Sequence, residues 1–244
     1  MISLENFKNT DCKIIEKRRE QLLEERNEKL NRSLRFLSAC RTIADDVVRL
    51  ESGYINKAKL NRFTQNQWQK ISQGMKGKIG TEYIRSVTCL TPDGSELNME
   101  AFDLFCGKVL TVVDNEGGIA EIIVDRLRGY ALGSGYDVIS CKCALGKTEH
   151  IIVPELSFGV FTSKYYHRSD FENERKIYTK RFLNSSVENI KFRREFSQKT
   201  YRKMMNEVFA SLDEFEKCNR QLDRIYSEII DKKQLRIFAE SFNP

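Results

Sequence analysis

Residues 108–127 read KVLTVVDNEGGIAEIIVDRL, and this stretch decides the fold class. Lys108–Val113 is a short apolar run of the kind that is buried on both faces of a parallel sheet. The turn Asp114–Gly118 follows it, and the apolar residues after the turn recur at helical spacing. Gly133–Gly135 ends that helix, and Tyr136–Cys141 is a further strand. Strand, glycine turn, helix and strand form a βαβ unit, so we expect an α/β protein.

Three more strands complete the predicted sheet. Tyr83–Leu90 alternates as a strand does and leads into the turn Thr91–Gly94, where proline fixes φ and glycine supplies a positive φ. Ile151–Val153 and Phe158–Thr162 are the other two strands. We therefore predict a small, mostly parallel sheet within residues 80–168.

Both ends of the chain are predicted to be helical, and they resemble each other. From about Lys13 to Glu51 apolar residues recur at helical intervals without glycine or proline, which indicates one long helix or two with a tight break. Met205–Ile229 repeats this pattern. The shared residues are Phe7, Asn9, Ile15 and Arg18-Arg19-Glu20 in the first end, and Phe182, Asn184, Ile190 and Arg193-Arg194-Glu195 in the second.

This similarity predicts a tandem duplication of an α/β-plus-helical unit whose first α/β segment is missing. The alternative is chance similarity between two charged helices, since helices reuse Leu, Arg and Glu. The predicted organisation is a helical arm at 1–75, an α/β domain at 80–168 and a second helical arm at 170–244. The missing segment should leave an apolar stripe on residues 1–50 without intramolecular cover. We therefore expect a protein partner or a homo-oligomer through the helical arms.

The amino-acid composition limits the classes of protein to which this chain can belong. The chain has 244 residues, of which 40% are hydrophobic and 31% charged, values that fit a globular protein. No apolar run approaches the length that spans a bilayer, and the N-terminal residues do not resemble a signal peptide, so no membrane association is expected. The seven cysteines are an odd number with no disulfide framework. A reducing cytoplasm is the predicted location.

The middle of the chain carries motifs of a known type. They are Thr91-Pro92-Asp93-Gly94, Gly135-Tyr136-Asp137-Val138, Cys143, Ile151-Ile152-Val153-Pro154-Glu155-Leu156, Ser163 and His167. With them the chain resembles an uncharacterised bacterial family of P-loop ATPase-like proteins built from two tandem halves. The resemblance implies a small P-loop NTPase-like sheet with two homologous long-helix arms. It also implies that the chain corresponds to the end of a first half followed by a complete second half.

The same resemblance implies a degenerate phosphate loop. A working loop, G-x-x-x-x-G-K-[ST], needs glycine amides around the phosphates, a lysine on the β and γ phosphates and a hydroxyl on magnesium. A gapless alignment puts Asp114 at the first glycine and keeps Gly117, with Gly118 beside it. Ile119 then replaces the second glycine, Ala120 the lysine and Glu121 the hydroxyl residue. The family has an acid after the last strand, and Thr162 stands there.

These changes predict a site that has lost its nucleotide. Glu121 and Asp114 bring negative charge toward a polyanion, which costs free energy even with solvent screening. We therefore expect neither ATP nor Mg²⁺ as a cofactor, no catalytic residues, and a regulatory or structural role. The alternative is a weak ATPase that a partner chain completes.

Residues 175–203 hold ten Lys or Arg against two Glu, whereas the whole chain has a net charge of +6. Aromatic residues are interleaved with these charges, a pattern that permits phosphate contacts and base stacking. The candidate contacts are Lys191, Arg193, Arg194, Lys199, Arg202 and Lys203. The simpler interpretation is an amphipathic helix with its aromatic residues in the core. Nucleic-acid or polyphosphate binding is therefore the less favoured alternative.

Cys141-x-Cys143 with His150 and His167 is the one arrangement with metal-ligand chemistry. A lone C-x-C lacks the spacing that zinc sites use. Buried strand cysteines are the favoured interpretation, so no metal is expected.

Overall fold

The computed structural model describes residues 13–98, 100–115, 118–164, 168, 171–229 and 232–240. The helices are α1 (Lys13–Ser52), α2 (Lys57–Ile71), α3 (Glu100–Phe105), α4 (Gly118–Gly133), α5 (Lys191–Ile229) and α6 (Lys232–Glu240). The strands are β1 (Glu82–Arg85), β2 (Thr88–Thr91), β3 (Gly94–Leu97), β4 (Lys108–Val113), β5 (Val138–Lys142), β6 (Thr148–Val153), β7 (Phe158–Ser163) and β8 (Glu174–Tyr178). The predicted class, α/β with a mostly parallel sheet and long helices, is confirmed.

Six strands form the main sheet, in the order β1-β5-β6-β7-β4-β8. β1 pairs with β5 in parallel, and β4 pairs in parallel with both β7 and β8. β6 is antiparallel to β5 and β7 on either side. The helix α4 therefore connects β4 to a strand of the same direction that is not its neighbour. This crossover leaves the carboxyl ends of β4, β5 and β7 at one edge of the sheet.

Alternating side chains of the strands bury both faces of the sheet. On one face, Leu110 and Val112 of β4 belong to the same core as Ile123 and Leu127 of α4. On the other face, Val109 packs in a second core with aromatic side chains, namely Phe102, Phe161 and Phe171. The prediction that Lys108–Val113 is a buried strand is confirmed, because its four central residues are all buried.

One predicted strand is wrong in its extent. Tyr83–Leu90 was expected to be continuous, but β1 ends at Arg85 and β2 begins at Thr88. β1 joins the six-stranded sheet, whereas β2 pairs only with β3 as a separate hairpin. The predicted turn lies at the tip of that hairpin, where Gly94 has a φ of +141°. The alternation of residue types is present in both β1 and β2, and only their pairing with other strands assigns them to different sheets.

The basic segment 175–203 is not a single helix. Its first part is the edge strand β8, which pairs with β4, and two turns of 3-10 helix at Thr179–Phe182 and Ser185–Ile190 follow. The long helix α5 begins only at Lys191. The strand was missed because β8 buries only Ile177 fully, so it carries no alternating apolar signal.

The described chain divides into two compact units, residues 36–206 and residues 1–35 together with 207–244. In the second of these units α1 and α5 contribute a small apolar core of Leu22, Leu222 and Ile225. The ion pair Arg32–Glu207, at 3.0 Å, also joins α1 and α5 within this unit. The expectation that the first stripe lacks intramolecular cover is therefore wrong at Leu22, which is 7% exposed. Leu34 of the same stripe remains 52% exposed.

The proposed duplication stays a prediction. Phe7 and Asn9, on which it partly depends, lie outside the described residues. Each end of the chain has a long helix followed by a short one, α1 with α2 and α5 with α6. None of the helices in the described ranges has an apolar stretch long enough to span a bilayer.

Candidate functional site

Asp114, directly after β4, caps the first turn of α4 with its carboxylate. The Asp114 side chain is 2% exposed, and its Oδ2 accepts the backbone N–H of Ala120 at 2.7 Å. The Asp114 backbone N–H in turn donates to the Ser163 carbonyl at 3.0 Å, which fixes the residue against β7. The amides in the first turn of a helix are where a phosphate binds. Asp114 thus places an internal anion at the position that a phosphate would occupy.

The end of α1 covers the same turn. A methyl group added at Gly118 would stand 3.2 Å from Cγ2 of Val48 and 3.5 Å from Oε2 of Glu51. Glu51 is 2% exposed and forms an ion pair of 2.8 Å with Arg194 of α5. Arg194, a candidate anion contact, therefore serves a buried pair inside the protein. Packing of α1 leaves glycine as the residue that fits at position 118.

The residues at the positions assigned to the second glycine, the lysine and the hydroxyl of a phosphate loop are engaged in contacts within the protein. Ile119 and Ala120 are 1% and 0% exposed and belong to the core beneath α4. Glu121 accepts a hydrogen bond of 2.9 Å from Lys147, which also pairs with Asp45 at 2.6 Å. Gly117, the one glycine kept in the motif, lies outside the described residues.

A cavity of about 110 Å³ lies beside this loop, at the carboxyl ends of β4, β5 and β7. Ligands of open α/β sheets bind at this edge, because loops and helix N-termini converge there. Helices α1 and α5, the β2–β3 hairpin and the β5–β6 connection form its walls. Its polar lining includes Asn115, Glu121, Lys147, Glu149, Thr162, Lys164, Gln198, Tyr201 and Arg202.

The ion pair between Lys164 and Glu149 is the main charged feature of this cavity. Glu149 is 5% exposed, and its Oε1 lies 2.5 Å from Nζ of Lys164. Burial lowers the pKa of Lys164, but the Glu149 carboxylate more than offsets this, so the net pKa lies above its ordinary value. Lys164 is therefore a fixed cation at neutral pH.

Lys147 and Tyr201 keep their protons for different reasons. Burial lowers the pKa of Lys147, but the Asp45 and Glu121 carboxylates raise it above its ordinary value. Burial raises the pKa of the Tyr201 phenol. Burial also raises the pKa of the Cys143 thiol, which argues against a nucleophilic role for this cysteine.

Thr162 stands where the resembling family has an acid, and it is used structurally. Its hydroxyl donates to the Glu149 carbonyl at 2.7 Å, and its backbone N–H donates to Nδ1 of His150 at 3.0 Å. The buried His150 ring stacks on Phe161, with ring centroids 4.5 Å apart. His150 is thus a strand residue with a defined hydrogen bond.

The described members of the possible zinc site do not form a metal site. Cys141 is buried and lies opposite His150 in the β5–β6 pair, and burial raises its thiol pKa to about 12. His167 lies outside the described residues. Within the described part of the chain no group of three His, Cys, Asp or Glu side chains could hold a metal ion.

The six basic candidates are divided among different surroundings. Arg194 is held by Glu51, and Arg193 lies 3.5 Å from Asp46. Lys191 lies 3.9 Å from Glu188, and Arg202 lines the cavity. Lys199 and Lys203 are exposed on α5. Near them, Phe192 is 85% exposed and Phe196 is 64% exposed, so these aromatic residues are not core residues.

Sequence reasoning missed Lys147, Glu149 and Lys164. A usable signal existed, because the short Cys143–Lys147 connection forces β5 and β6 to be antiparallel. The start of β6 must then lie at the same edge as the end of β7, which brings Glu149 and Lys164 together.

No protein-family model, curated protein or solved structure matches this chain. The functional inference therefore depends on the geometry of the site.

Proposed function

We propose that this chain is a non-catalytic P-loop NTPase-like protein with lost or weak nucleotide binding, which acts as a regulatory or structural partner. The observation that carries the proposal is the hydrogen bond of 2.7 Å that the Ala120 backbone N–H donates to the Asp114 carboxylate. A phosphate at this turn would have to displace a buried carboxylate. It would also approach Glu121 with the same sign of charge.

Side-chain burial supports the same conclusion. Ala120 is 0% exposed, so even a lysine at this position would have to place its stem in the core before its ammonium met a phosphate. Val48 and Glu51 of α1 occupy the space next to Gly118. Ligand charge and available space thus both oppose a nucleotide at this turn.

The test compares the wild-type chain with Asp114→Ala in thermal-shift and phosphate-release assays with ATP and GTP, each with Mg²⁺. We expect no nucleotide-dependent shift and no hydrolysis by the wild-type chain. Asp125→Ala, an exposed carboxylate in α4, is the matched control. Mg²⁺-dependent hydrolysis by the wild-type chain would overturn the proposal. Hydrolysis only after addition of a partner protein would favour the partner-completed ATPase instead.

The expected partner, or second copy of this chain, would use the helical arms. Leu34 of α1 and Ile237 of α6 are 52% and 60% exposed, which leaves apolar surface on both arms. Sedimentation velocity of the wild-type chain and of Leu34→Glu distinguishes the cases. Self-association that Leu34→Glu abolishes would support a homo-oligomer, and a monomer at all concentrations would exclude it.

Single-stranded nucleic-acid binding through α5 is the second candidate function. Phe192, Phe196, Lys199 and Lys203 recur at helical spacing and are all exposed, so they share one stripe. Aromatic faces stack on bases while lysines bind phosphates. Binding of a fluorescent oligothymidylate should weaken about tenfold for Phe192→Ala. Lys217→Ala, an exposed lysine further along α5, is the control, and binding equally unaffected by both changes would reject this function.

A further inference from the structure

The cavity at the carboxyl ends of β4, β5 and β7 has one apolar wall. Helices α1 and α5 supply most of it, and the β2–β3 hairpin and the β5–β6 connection complete it. The apolar lining residues are Leu37, Ile43, Ala44, Val47, Val48, Leu90, Ala144, Leu145 and Met205. A cavity that needed only to hold water would not require such a wall, since buried waters need polar partners. The wall therefore favours a ligand with an apolar body.

Other groups at the cavity are charged, and their charges balance. Lys164 pairs with Glu149 at 2.5 Å, and Lys147 pairs with Glu121 at 2.9 Å and with Asp45 at 2.6 Å. Arg202 adds one further positive charge to the lining. A ligand with a net charge would leave one group uncompensated in a half-buried space, which is unfavourable. A ligand that carries both charges can exchange partners with the two lysine–glutamate pairs.

Neutral polar groups complete the lining. The Thr88 Oγ1 atom is buried and has no hydrogen-bond partner in the described part of the chain. Gln198 and Tyr201 of α5 also reach the cavity, and burial keeps the Tyr201 hydroxyl protonated. These groups supply donors and acceptors for the polar end of a ligand, a pattern typical of small-molecule sites.

Size limits the ligand further. The cavity measures about 110 Å³, somewhat less than the ~150 Å³ cavity that accommodates benzene in an engineered protein. This volume suits a branched aliphatic side chain, and the cavity is partly open to solvent, so the polar end of a ligand need not be fully enclosed.

We propose that this cavity binds an apolar α-amino acid, with its side chain against the α1–α5 wall and its zwitterionic end among Lys147, Glu149 and Lys164. The ligand ammonium then pairs with a glutamate and its carboxylate with a lysine. The inference goes beyond the proposed function. ATP binding would overturn the proposed function without affecting this inference. Failure to bind an amino acid would overturn this inference without affecting the proposed function.

Thermal-shift and calorimetric titrations with L-leucine, L-isoleucine and L-valine test the proposal. At about ten times its Kd, a bound amino acid should raise Tm by about 3 °C. The comparison ligands are 4-methylpentanoate, which lacks the ammonium, and 3-methylbutylamine, which lacks the carboxylate. Each should bind at least about tenfold more weakly than leucine. No binding of any of the three amino acids, or equal binding of a one-charge analogue, would overturn the proposal.

Two variants locate the binding in this cavity. Ala44→Leu fills the apolar wall and should abolish binding, whereas Ala58→Leu on the exposed surface of α2 should not. Glu149→Gln removes one charge without changing shape and should weaken binding of leucine about tenfold. Glu100→Gln, an exposed glutamate in α3, is its control. If Ala44→Leu fails to fold, preference for L-leucine over D-leucine in the wild-type chain serves as the second readout, and equal binding of both would count against a built site.

Discussion

Replacement of Asp114 by alanine should destabilise the unit formed by residues 36–206. The change removes the acceptor of the Ala120 N–H, which lies 2.7 Å from Oδ2 of Asp114. Asp114 is 2% exposed, so water cannot take its place without entering the core. The amide of Ala120 would then be a buried donor without a partner.

The expected loss of stability follows from two estimates of what this hydrogen bond contributes. Removal of a helix-capping side chain costs about 1 kcal/mol, and a buried donor left unsatisfied costs about 1–3 kcal/mol. We therefore expect Asp114→Ala to lower the free energy of unfolding by about 2 kcal/mol. Asp114→Asn keeps an acceptor and loses only the charge beside the helix dipole, so it should cost about 0.3–1 kcal/mol.

Urea unfolding followed by the fluorescence of Trp68 is the assay. Trp68, the one tryptophan of the chain, lies in α2 and packs edge-on to Tyr136 with ring centroids 5.8 Å apart. It therefore reports on the unit that contains Asp114. The control Asp125→Ala should stay within about 0.5 kcal/mol of the wild-type chain, since exposed pairs contribute little. If the free energy of unfolding of Asp114→Ala also lay within ~0.5 kcal/mol of the wild-type value, the reasoning would be refuted.

Three further outcomes are expected. Glu51→Ala should cost about 3 kcal/mol in the same assay, because it leaves Arg194 without its buried partner; a cost equal to that of an exposed pair would contradict this. Lys164→Met should cost about 2 kcal/mol from pH 7 to 9. The folded-state pKa of Lys164 is raised above 10.5, so this stabilisation is present below pH 10.5 and is lost as the pH rises through the folded-state value. Urea unfolding at several pH values would contradict this if the difference in free energy of unfolding between the wild-type chain and Lys164→Met grew with pH. In the folded chain Cys89, which is exposed, should react rapidly with Ellman's reagent, whereas Cys141, with a pKa of about 12, should react only after unfolding; thiol counts for Cys89→Ser and Cys141→Ser check this.

Strong local patterns made much of the fold predictable. β4 and α4 follow directly from an apolar run, a glycine turn and helical spacing, and α1 is one helix because neither glycine nor proline interrupts it before Gly53. The division between β1 and β2 was not predictable from alternation, because both have it and only long-range pairing assigns them to different sheets. β8 was missed because one edge of it faces away from the sheet and its side chains are mostly exposed.

The candidate site shows the same division between local and long-range signals. The negative charge of Asp114 at the loop was evident from the sequence, and so was the absence of a lysine at position 120. The capping role of Asp114 was not, because it requires the side chain to fold back on its own helix. Glu149 lies on β6 and Lys164 directly follows β7, and only the antiparallel direction of β6 brings them within 2.5 Å.

Calorimetric titration of the wild-type chain with ATP in the presence of Mg²⁺ tests the central claim most directly. Because the Asp114 carboxylate caps the N-terminus of α4, we expect no saturable heat of binding, which corresponds to a Kd weaker than about 1 mM. The Asp114 carboxylate and the α1 contacts at Gly118 are the physical reasons. A Mg²⁺-dependent Kd of about 1–10 μM would contradict the account, because ATP could bind so tightly only if the Asp114–Ala120 bond opened easily.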